Sequence, residues 1–190
     1  MKIFTATAIG LVLGLPLAAQ AATVEIRSAV SAVQLGDTFD VELVFDRDAG
    51  DAPLAEFGID VDYDNSLFSF VGGSFSNSLG DIAGTNDIAD QTGFLQLLVS
   101  STTDESTLDT LQQSAFSFAT LTFSADAVGT GSFDLDQSFA FFADANFAGI
   151  PVTYGQTSTD VTVLAPIPLP ASALLLLAGL GGLAAIRRRA

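Results

Sequence analysis

Carboxylates at alternate positions are the residues of this chain whose type and spacing could carry chemistry. Asp60, Asp62 and Asp64 are separated by one residue each, and Asn65 follows directly. Oxygen ligands of this kind suit Ca²⁺, provided that a second loop supplies further oxygens. The glycine and the distant glutamate of an EF-hand loop are missing. The sequence therefore offers a calcium site at these three aspartates, and a solvated strand face is the favoured alternative.

Residues 22–165 lack most of the side chains that enzymes use for catalysis. Residues 22–165 contain no His, Cys or Lys, which removes the common nucleophile–base pairs, Schiff-base lysines and zinc ligands. Two carboxylates could hydrolyse a glycoside, but they need a set separation and one acid in an apolar pocket. With 22 Asp and Glu residues, some pair reaches that spacing by chance. We therefore expect a non-enzymatic protein.

The acidic composition excludes one class of partner. All 22 acidic residues lie within residues 22–165, where Arg27 and Arg47 are the only basic ones, so this part carries 2 − 22 = −20 against −16 for the whole chain. Such a surface repels nucleic-acid phosphates and anionic lipid headgroups. We predict no nucleic-acid partner. The chain has no cysteine, but a segment of roughly 140 residues buries enough surface to fold as one domain without disulfides.

The elements that must position these acids are β-strands. In Phe39–Asp46 and again in Glu56–Asp64, apolar residues alternate with polar ones, which is typical of antiparallel strands with one wet face. Further strands are predicted at Thr23–Arg27, Ser66–Val71, Gly93–Ser100, Ser114–Ala125, Ser132–Leu135, Ser138–Phe142 and Asp160–Leu164. We predict an all-β fold, a jelly-roll β-sandwich of about nine strands. Its sixteen phenylalanines would fill the core between two sheets.

Three segments depart from simple alternation. The apolar positions of Ser114–Ala125 change parity, which predicts a β-bulge near Ala119-Thr120 or a strand buried on both faces. Thr103–Gln113 could form a short helix. A third segment holds more phenylalanines than one strand can bury, namely Phe139, Phe141, Phe142 and Phe147. They form either a binding patch or a loop packed on the core, and the core interpretation is favoured.

The C-terminus has a pattern typical of a membrane-directed tail. Residues 167–186 carry no charge over 20 positions, about the length that a helix needs to cross a bilayer. Because prolines at 168 and 170 disfavour a helix there, the predicted transmembrane helix is 171–186. The basic stop after it consists of Arg187, Arg188 and Arg189. The positive-inside bias places this stop in the cytoplasm.

A short motif precedes the helix. It consists of Ile167, Pro168, Leu169, Pro170, Ala171 and Ser172. With the apolar span and the arginines, it resembles the VPLPA type of PEP-CTERM sorting signal, with isoleucine in place of the usual valine. The resemblance implies that residues 165–190 are a sorting tail processed by an exosortase, a membrane-embedded enzyme found mostly in Gram-negative producers of exopolysaccharide. A sortase signal and an unprocessed tail anchor are the alternatives.

The N-terminus has the pattern of a signal peptide. Lys2 supplies the positive region, residues 3–17 are largely apolar, and Ala19-Gln20-Ala21 is a small-residue cleavage site. Cleavage before Ala22 would remove residues 1–21. We predict an exported protein that is anchored in the membrane by its C-terminal helix. After processing it would lie at the cell surface or in the extracellular matrix of a Gram-negative bacterium, as the sorting-signal resemblance implies.

Residues 22–164 resemble a cohesin-like module. Val33–Val41 looks like the opening turn and strand of that family, Phe57–Asp64 like its strand ending in Tyr-Asp, and Phe118–Phe123 with the following Gly129 like its third landmark. Asn65 departs from the family, where proline is frequent. Cohesins share their nine-stranded sandwich with a group of carbohydrate-binding modules. The resemblance therefore implies binding and assigns no individual contact residues.

Three functional hypotheses remain open. The first is a non-enzymatic surface or matrix protein whose sandwich binds a dockerin-like protein. The second is a carbohydrate-binding module for extracellular polysaccharide. The third, hydrolysis by a carboxylate pair, would require turnover that is lost when one specific acid is removed.

Overall fold

The computed structural model describes residues 21–48, 50–82, 87–112 and 114–166. The sorting motif, the predicted transmembrane helix and the basic stop lie outside these ranges, as does the signal segment up to residue 20. Of the predicted cleavage site, Ala21 and Ala22 are described and Ala19 is not. In the part that is described, no helix is both long and apolar enough to cross a bilayer.

Strands make up most of the described chain. They are β1 (Ala22–Ser28), β2 (Ala32–Gln34), β3 (Thr38–Asp46), β4 (Glu56–Tyr63), β5 (Phe68–Phe75), β6 (Asp87–Asp90), β7 (Phe94–Ser100), β8 (Phe116–Ala125), β9 (Gly129–Ala143), β10 (Val152–Tyr154) and β11 (Ser158–Leu164). One α-helix, α1 (Glu105–Leu111), and a 3-10 turn (Asn77–Leu79) complete the elements.

The strands form two sheets that pack face to face. Sheet A has the order β10-β1-β3-β8-β5, and sheet B has the order β2-β11-β9-β4-β7-β6. The pairs β1–β10 and β2–β11 are parallel, and the remaining neighbours are antiparallel. The predicted all-β sandwich is therefore confirmed.

Phenylalanine rings fill the space between the sheets. Eight of them are buried, namely Phe39, Phe45, Phe57, Phe68, Phe118, Phe123, Phe133 and Phe142. Phe57 of sheet B meets Phe118 of sheet A edge to face, with ring centroids 4.7 Å apart. Phe123 and Phe133 make an equally close contact across the sandwich at 4.7 Å. Offset and edge-to-face pairs of this kind add to the stability that burial provides.

The predicted bulge lies in β8, next to the expected position. Leu43 pairs with Ala119, but Val44 pairs with Ser117, so Phe118 has no partner residue on β3. The extra residue lets both Phe118 and Leu121 point into the core although their positions differ in parity.

The strand count is higher than the predicted nine. Two predicted strands, Ser132–Leu135 and Ser138–Phe142, belong to one long strand, β9. Three short edge strands were missed, β2, β6 and β10, each of three or four residues. Segments this short give too few positions for alternation to be recognised. The predicted helix at Thr103–Gln113 contains α1.

A buried polar clamp attaches α1 to the sandwich. The Gln112 amide donates to the carbonyls of Leu54 and Ser78, and its oxygen accepts from the Leu54 N–H. Arg47, which is only 6% exposed, donates from Nε to the Gln112 carbonyl at 2.8 Å. Because every polar atom of the Gln112 side chain is paired, its burial carries little penalty.

Candidate functional site

The outer face of sheet B carries a regular array of acids. In β4, Phe57, Ile59 and Val61 are buried in the core, so the alternate residues Asp60 and Asp62 point away from it. In β9, Phe133 and Leu135 are likewise buried, so Asp134 and Asp136 point outward. The same alternation that makes the core therefore makes this face.

Strand register brings the four acids together. Asp60 lies opposite Asp136, and Asp62 lies opposite Asp134, on adjacent antiparallel strands. We call these four residues the aspartate tetrad. Residues directly opposite each other have Cβ atoms about 4.5–5.5 Å apart, and like charges there are destabilising. The tetrad is thus an arrangement that sheet stability alone disfavours.

The two aspartates of β4 both have raised pKa values, chiefly because they are partly buried and secondly because of neighbouring acids. Burial raises the pKa of Asp60, the neighbouring Gln96 side chain partly offsets this, and the Asp136 charge raises it further. Burial also raises the pKa of Asp62, with added repulsion from Asp136, Asp134 and Asp60. One oxygen of Asp60, Oδ1, is buried without a hydrogen-bond partner. A cationic group next to these carboxylates would relieve their mutual repulsion and stabilise their charged forms.

Asp136 differs from its neighbours in the tetrad. The Ser138 hydroxyl and the Ser138 backbone N–H hydrogen-bond its carboxylate and lower its pKa, and the N–H donates over 2.8 Å. Asp134 accepts from the Ser132 hydroxyl at 2.6 Å. The β9 half of the tetrad therefore has local donors, whereas the β4 half has fewer.

No arginine of the described residues lies on this face. Arg27, on sheet A, pairs with Glu25 through its guanidinium. Arg47 is engaged by the α1 clamp and by Asp109, at 2.5 Å. With both arginines paired elsewhere, the tetrad has no arginine counterion from this part of the chain.

An apolar group adjoins the tetrad toward the α1 end of the sheet. Gly58 pairs with Leu98 on one side and with Phe141 on the other, so one row across the sheet reads Phe141, Gly58, Leu98. Leu98 is 39% exposed, Phe141 38% and Phe139 49%. We call Leu98, Phe139 and Phe141 the apolar shelf. The tetrad and the shelf together give the outer face of sheet B both charge and exposed apolar surface.

A large irregularity in β9 produces the shelf. Asp60 pairs with Asp136 and Gly58 with Phe141, so the four residues 137–140 of β9 face Ile59 alone. The core interpretation favoured for the extra phenylalanines was therefore wrong for Phe139 and Phe141, and also for Phe147, which is 74% exposed. It was right for Phe142, which is buried. Regular pairing would have continued the in–out alternation of β9, whereas the loop-out turns both Phe139 and Phe141 outward.

The three aspartates of the proposed calcium site do not form one cluster around a single point. Asp60 and Asp62 lie in the tetrad, whereas Asp64 begins the turn after β4 and accepts from both the backbone N–H and the hydroxyl of Ser66. Among the described residues no group of three acidic side chains is arranged to hold a metal ion. Calcium binding stays the less favoured of the two interpretations of these aspartates.

Asp134 and Asp136 were not singled out from the sequence. Part of their signal was present, because Asp134 lies within the predicted strand Ser132–Leu135 and Asp136 directly follows it. What the sequence lacks is the pairing of β9 with β4, more than 70 positions apart, as the Asp62–Asp134 pair illustrates. Alternation assigns a residue to a face but not to a neighbour.

The fold resembles known structures although the sequence does not match known families. No protein-family profile and no curated protein matches the chain. The structure resembles the seventh ScaB type I cohesin of Pseudobacteroides cellulosolvens, with a TM-score of 0.59, 16% identity, and coverage of 78% of this chain and 96% of that one. The cohesin module of a Clostridium perfringens family 33 glycoside hydrolase gives a TM-score of 0.59 at 14% identity, covering 77% and 98%.

A third neighbour is the third cohesin of Acetivibrio cellulolyticus ScaC, with a TM-score of 0.58 at 14% identity and coverage of 76% and 99%. Identities this low establish similarity of fold. All three neighbours are covered almost completely, so the likeness extends over the whole sandwich. The β-sandwich of this chain therefore has a cohesin-like fold.

Proposed function

We propose that this chain is an exported, non-enzymatic surface or matrix protein whose cohesin-like sandwich binds a partner protein through the outer face of sheet B. The observation that carries the proposal is the aspartate tetrad, four acids paired with each other across β4 and β9. The tetrad lies beside the exposed apolar shelf.

The face predicts the chemistry of its partner. Opposed carboxylates repel each other, and a partner's Lys or Arg side chains would relieve this repulsion on binding. Leu98, Phe139 and Phe141 would supply the desolvated contacts from which interfaces draw much of their affinity. The favoured partner is thus a protein surface with basic side chains next to apolar ones.

The structural neighbours support a protein rather than a small ligand. The Acetivibrio cellulolyticus cohesin was solved in complex with the ScaB dockerin. By analogy of fold, the partner of this chain is a dockerin-like protein. Analogy of fold alone does not specify function. The paired acids and the exposed apolar side chains of the outer face of sheet B support this partner independently.

Export and processing belong to the same proposal. The sequence supports a signal peptide of residues 1–21 and an exosortase-processed tail of residues 165–190, with membrane anchoring before processing. The strand boundaries fit this division, because β1 begins at Ala22 and β11 ends at Leu164. The folded unit thus occupies the interval between the two predicted processing segments.

A charge-matched pair of variants tests the binding face. Immobilised chain is used to capture proteins from the extracellular matrix of its source, and each captured protein is then purified and titrated. Asp60→Asn with Asp62→Asn should abolish binding of the true partner, whereas Asp40→Asn with Glu42→Gln on the outer face of sheet A should leave it unchanged. Wild-type binding should weaken with salt. Equal loss in both variants, or none in either, would refute the proposed face.

Exposed aromatic rings keep carbohydrate binding as a second candidate. Phe139 and Phe141 contact each other edge to face, with centroids 6.5 Å apart, and both are about half exposed. Aromatic faces stack on sugar rings. A glycan array that includes bacterial exopolysaccharides decides between the candidates: binding lost on Phe141→Ala but kept in the Asp60→Asn/Asp62→Asn variant would favour the glycan.

A further inference from the structure

Three exposed apolar side chains lie together at one end of the sandwich. Leu35 is 36% exposed, Leu164 is 42% and Val128 is 54%. The Leu35 N–H donates to the Leu164 carbonyl at 3.0 Å, and Val163 pairs with Gly129, which directly follows Val128. Leu164 is thus flanked by Leu35 on one side and by Val128 on the other. We call these three residues the apolar tip.

The tip is also where the chain leaves the sandwich. Only Ala165 and Pro166 separate the end of β11 from the uncharged run that begins at residue 167. Two extended residues span about 7 Å. In the membrane-anchored form of the proposed function, this short connection holds the tip close to the lipid.

The opposite end of the sandwich is distant from the tip. Thr38 at the start of β3 pairs with Ser124, near the tip, and Asp46 at its end pairs with Thr23, near the predicted mature N-terminus. Nine strand residues span about 30 Å. The N-terminus and the 144–151 loop, whose Pro151 carbonyl accepts from the Ala22 N–H, therefore lie far from the membrane in this form.

We infer that, before processing, the domain rests on the membrane by its apolar tip, with Leu35, Val128 and Leu164 in contact with a zwitterionic lipid surface. The inference rests on the proposed membrane anchoring. Zwitterionic lipid is specified because acids adjoin the tip. Asp37 lies in the turn after Leu35, and Asp126 precedes Val128. Anionic headgroups would repel both.

Matched cysteine reporters can test this contact, because the chain has no native cysteine. The full chain is reconstituted in phosphatidylcholine nanodiscs that contain a lipid quencher, with one fluorophore per protein. The three reporter sites are Ala127→Cys beside the tip, Ala148→Cys at the opposite end and Ala178→Cys in the apolar run. We expect strong quenching at 178 and 127 and none at 148.

A longer connection between the domain and the apolar run distinguishes binding of the tip to lipid from closeness that the short connection imposes. A long, flexible glycine–serine insertion between Pro166 and Ile167 frees the domain. Quenching at 127 should persist in this chain and be lost when Leu35→Ser and Leu164→Ser are added. It should also weaken when half of the lipid is phosphatidylglycerol. Loss of quenching at 127 on lengthening alone would mean tethering without contact and would overturn the inference.

The remaining outcomes are distinguishable. No quenching at 178 would refute the membrane anchoring itself, and the tip contact with it. Quenching at 178 but not at 127 would leave the anchoring intact and overturn the tip contact. A label at 127 that is shielded from water yet not quenched by lipid would indicate protein at the tip, either a second copy or a segment of this chain, and would also overturn the inference.

Discussion

The ring of Phe141 lies directly on the backbone of Gly58. A Cβ added at position 58 would be 2.3 Å from the Phe141 Cε1, closer than real carbon atoms approach. The two residues are register partners on β4 and β9, at the edge of the segment where residues 137–140 loop out. Glycine at 58 therefore lets an outward-turned phenylalanine lie flat on the sheet, which is how the apolar shelf forms.

Gly58→Ala should disrupt the shelf more than the fold. The new methyl group must displace Phe141, a half-exposed side chain that can rotate away, so we expect destabilisation of about 1–2 kcal/mol. The affinity for the partner should fall by a larger factor than the equilibrium constant for folding does. Gly72→Ala is the control, since nothing lies within 4 Å of a Cβ there. Thermal melts and titration of the partner measure the two effects, and unchanged binding by Gly58→Ala would contradict the role of the shelf.

Replacing the β4 half of the tetrad should stabilise the domain at neutral pH. The pKa of Asp60 and of Asp62 is raised in the folded state above the ordinary value of 3.8. Their contribution to the free energy of unfolding is therefore fully present below pH 3.8 and is lost as the pH rises through the raised pKa values. Asp60→Asn with Asp62→Asn removes this loss. Because solvent screens these partly exposed charges, we expect a gain of at most about 1 kcal/mol at pH 7, which vanishes below pH 3.8.

Asp104 provides a control of opposite sign for the pH series. Hydrogen bonds from the hydroxyls of Ser106 and Thr107 and from the Thr107 N–H, at the start of α1, lower its pKa to about 2. The contribution of Asp104 to the stability of the fold is therefore present above pH 3.8 and is lost as the pH falls toward 2. Asp104→Ala should lower the melting temperature by a few degrees at pH 7, and the difference should narrow in acid. Parallel pH profiles for the two variants would contradict this assignment.

The two arginines of the described residues should differ sharply in their effect on stability. Arg47→Ala leaves the carbonyls of Gln112 and Asp51 without their donor inside the clamp and removes the partner of Asp109, a loss of about 2–4 kcal/mol. Arg27→Ala removes an exposed pair worth at most about 1 kcal/mol. Urea denaturation of both variants measures this. Similar midpoints would show that the clamp contributes little.

Calcium is expected to leave the melting temperature unchanged at constant ionic strength. Asp64 accepts hydrogen bonds from Ser66 rather than lying in the tetrad, and Asp60 and Asp62 each face one acid of β9. Calorimetric titration and thermal melts with Ca²⁺, compared with equivalent NaCl, provide the test. A saturable rise in melting temperature that Asp62→Asn abolishes would instead establish the calcium hypothesis.

The general form of the sandwich could be predicted from period-two alternation. Phe57, Ile59 and Val61 point inward as expected, and the parity change in β8 correctly indicated a bulge, at Phe118. Both signals are local, because side chains of a strand alternate between faces whatever strand lies next to it. The outward direction of Asp60 and Asp62 follows from the same rule.

The partners of those side chains could not be predicted. The Asp60–Asp136 and Asp62–Asp134 pairs depend on the register of β4 with β9, and register between distant strands is set by the whole sheet. The exposure of Phe139 and Phe141 depends on the loop-out at 137–140, which an apolar run gives no reason to expect. An exposed phenylalanine and a core phenylalanine look alike in sequence.

The sequence by itself thus determined the strand periodicity, the acidic charge of the outer faces and the apolar character of both termini, because each is a property of neighbouring residues. The tertiary structure alone decided that four aspartates meet, that a glycine supports a phenylalanine beside them, and that Leu35, Val128 and Leu164 share one end. These relations join residues far apart in the chain. Only the packing of two sheets, with their registers and bulges, brings them together.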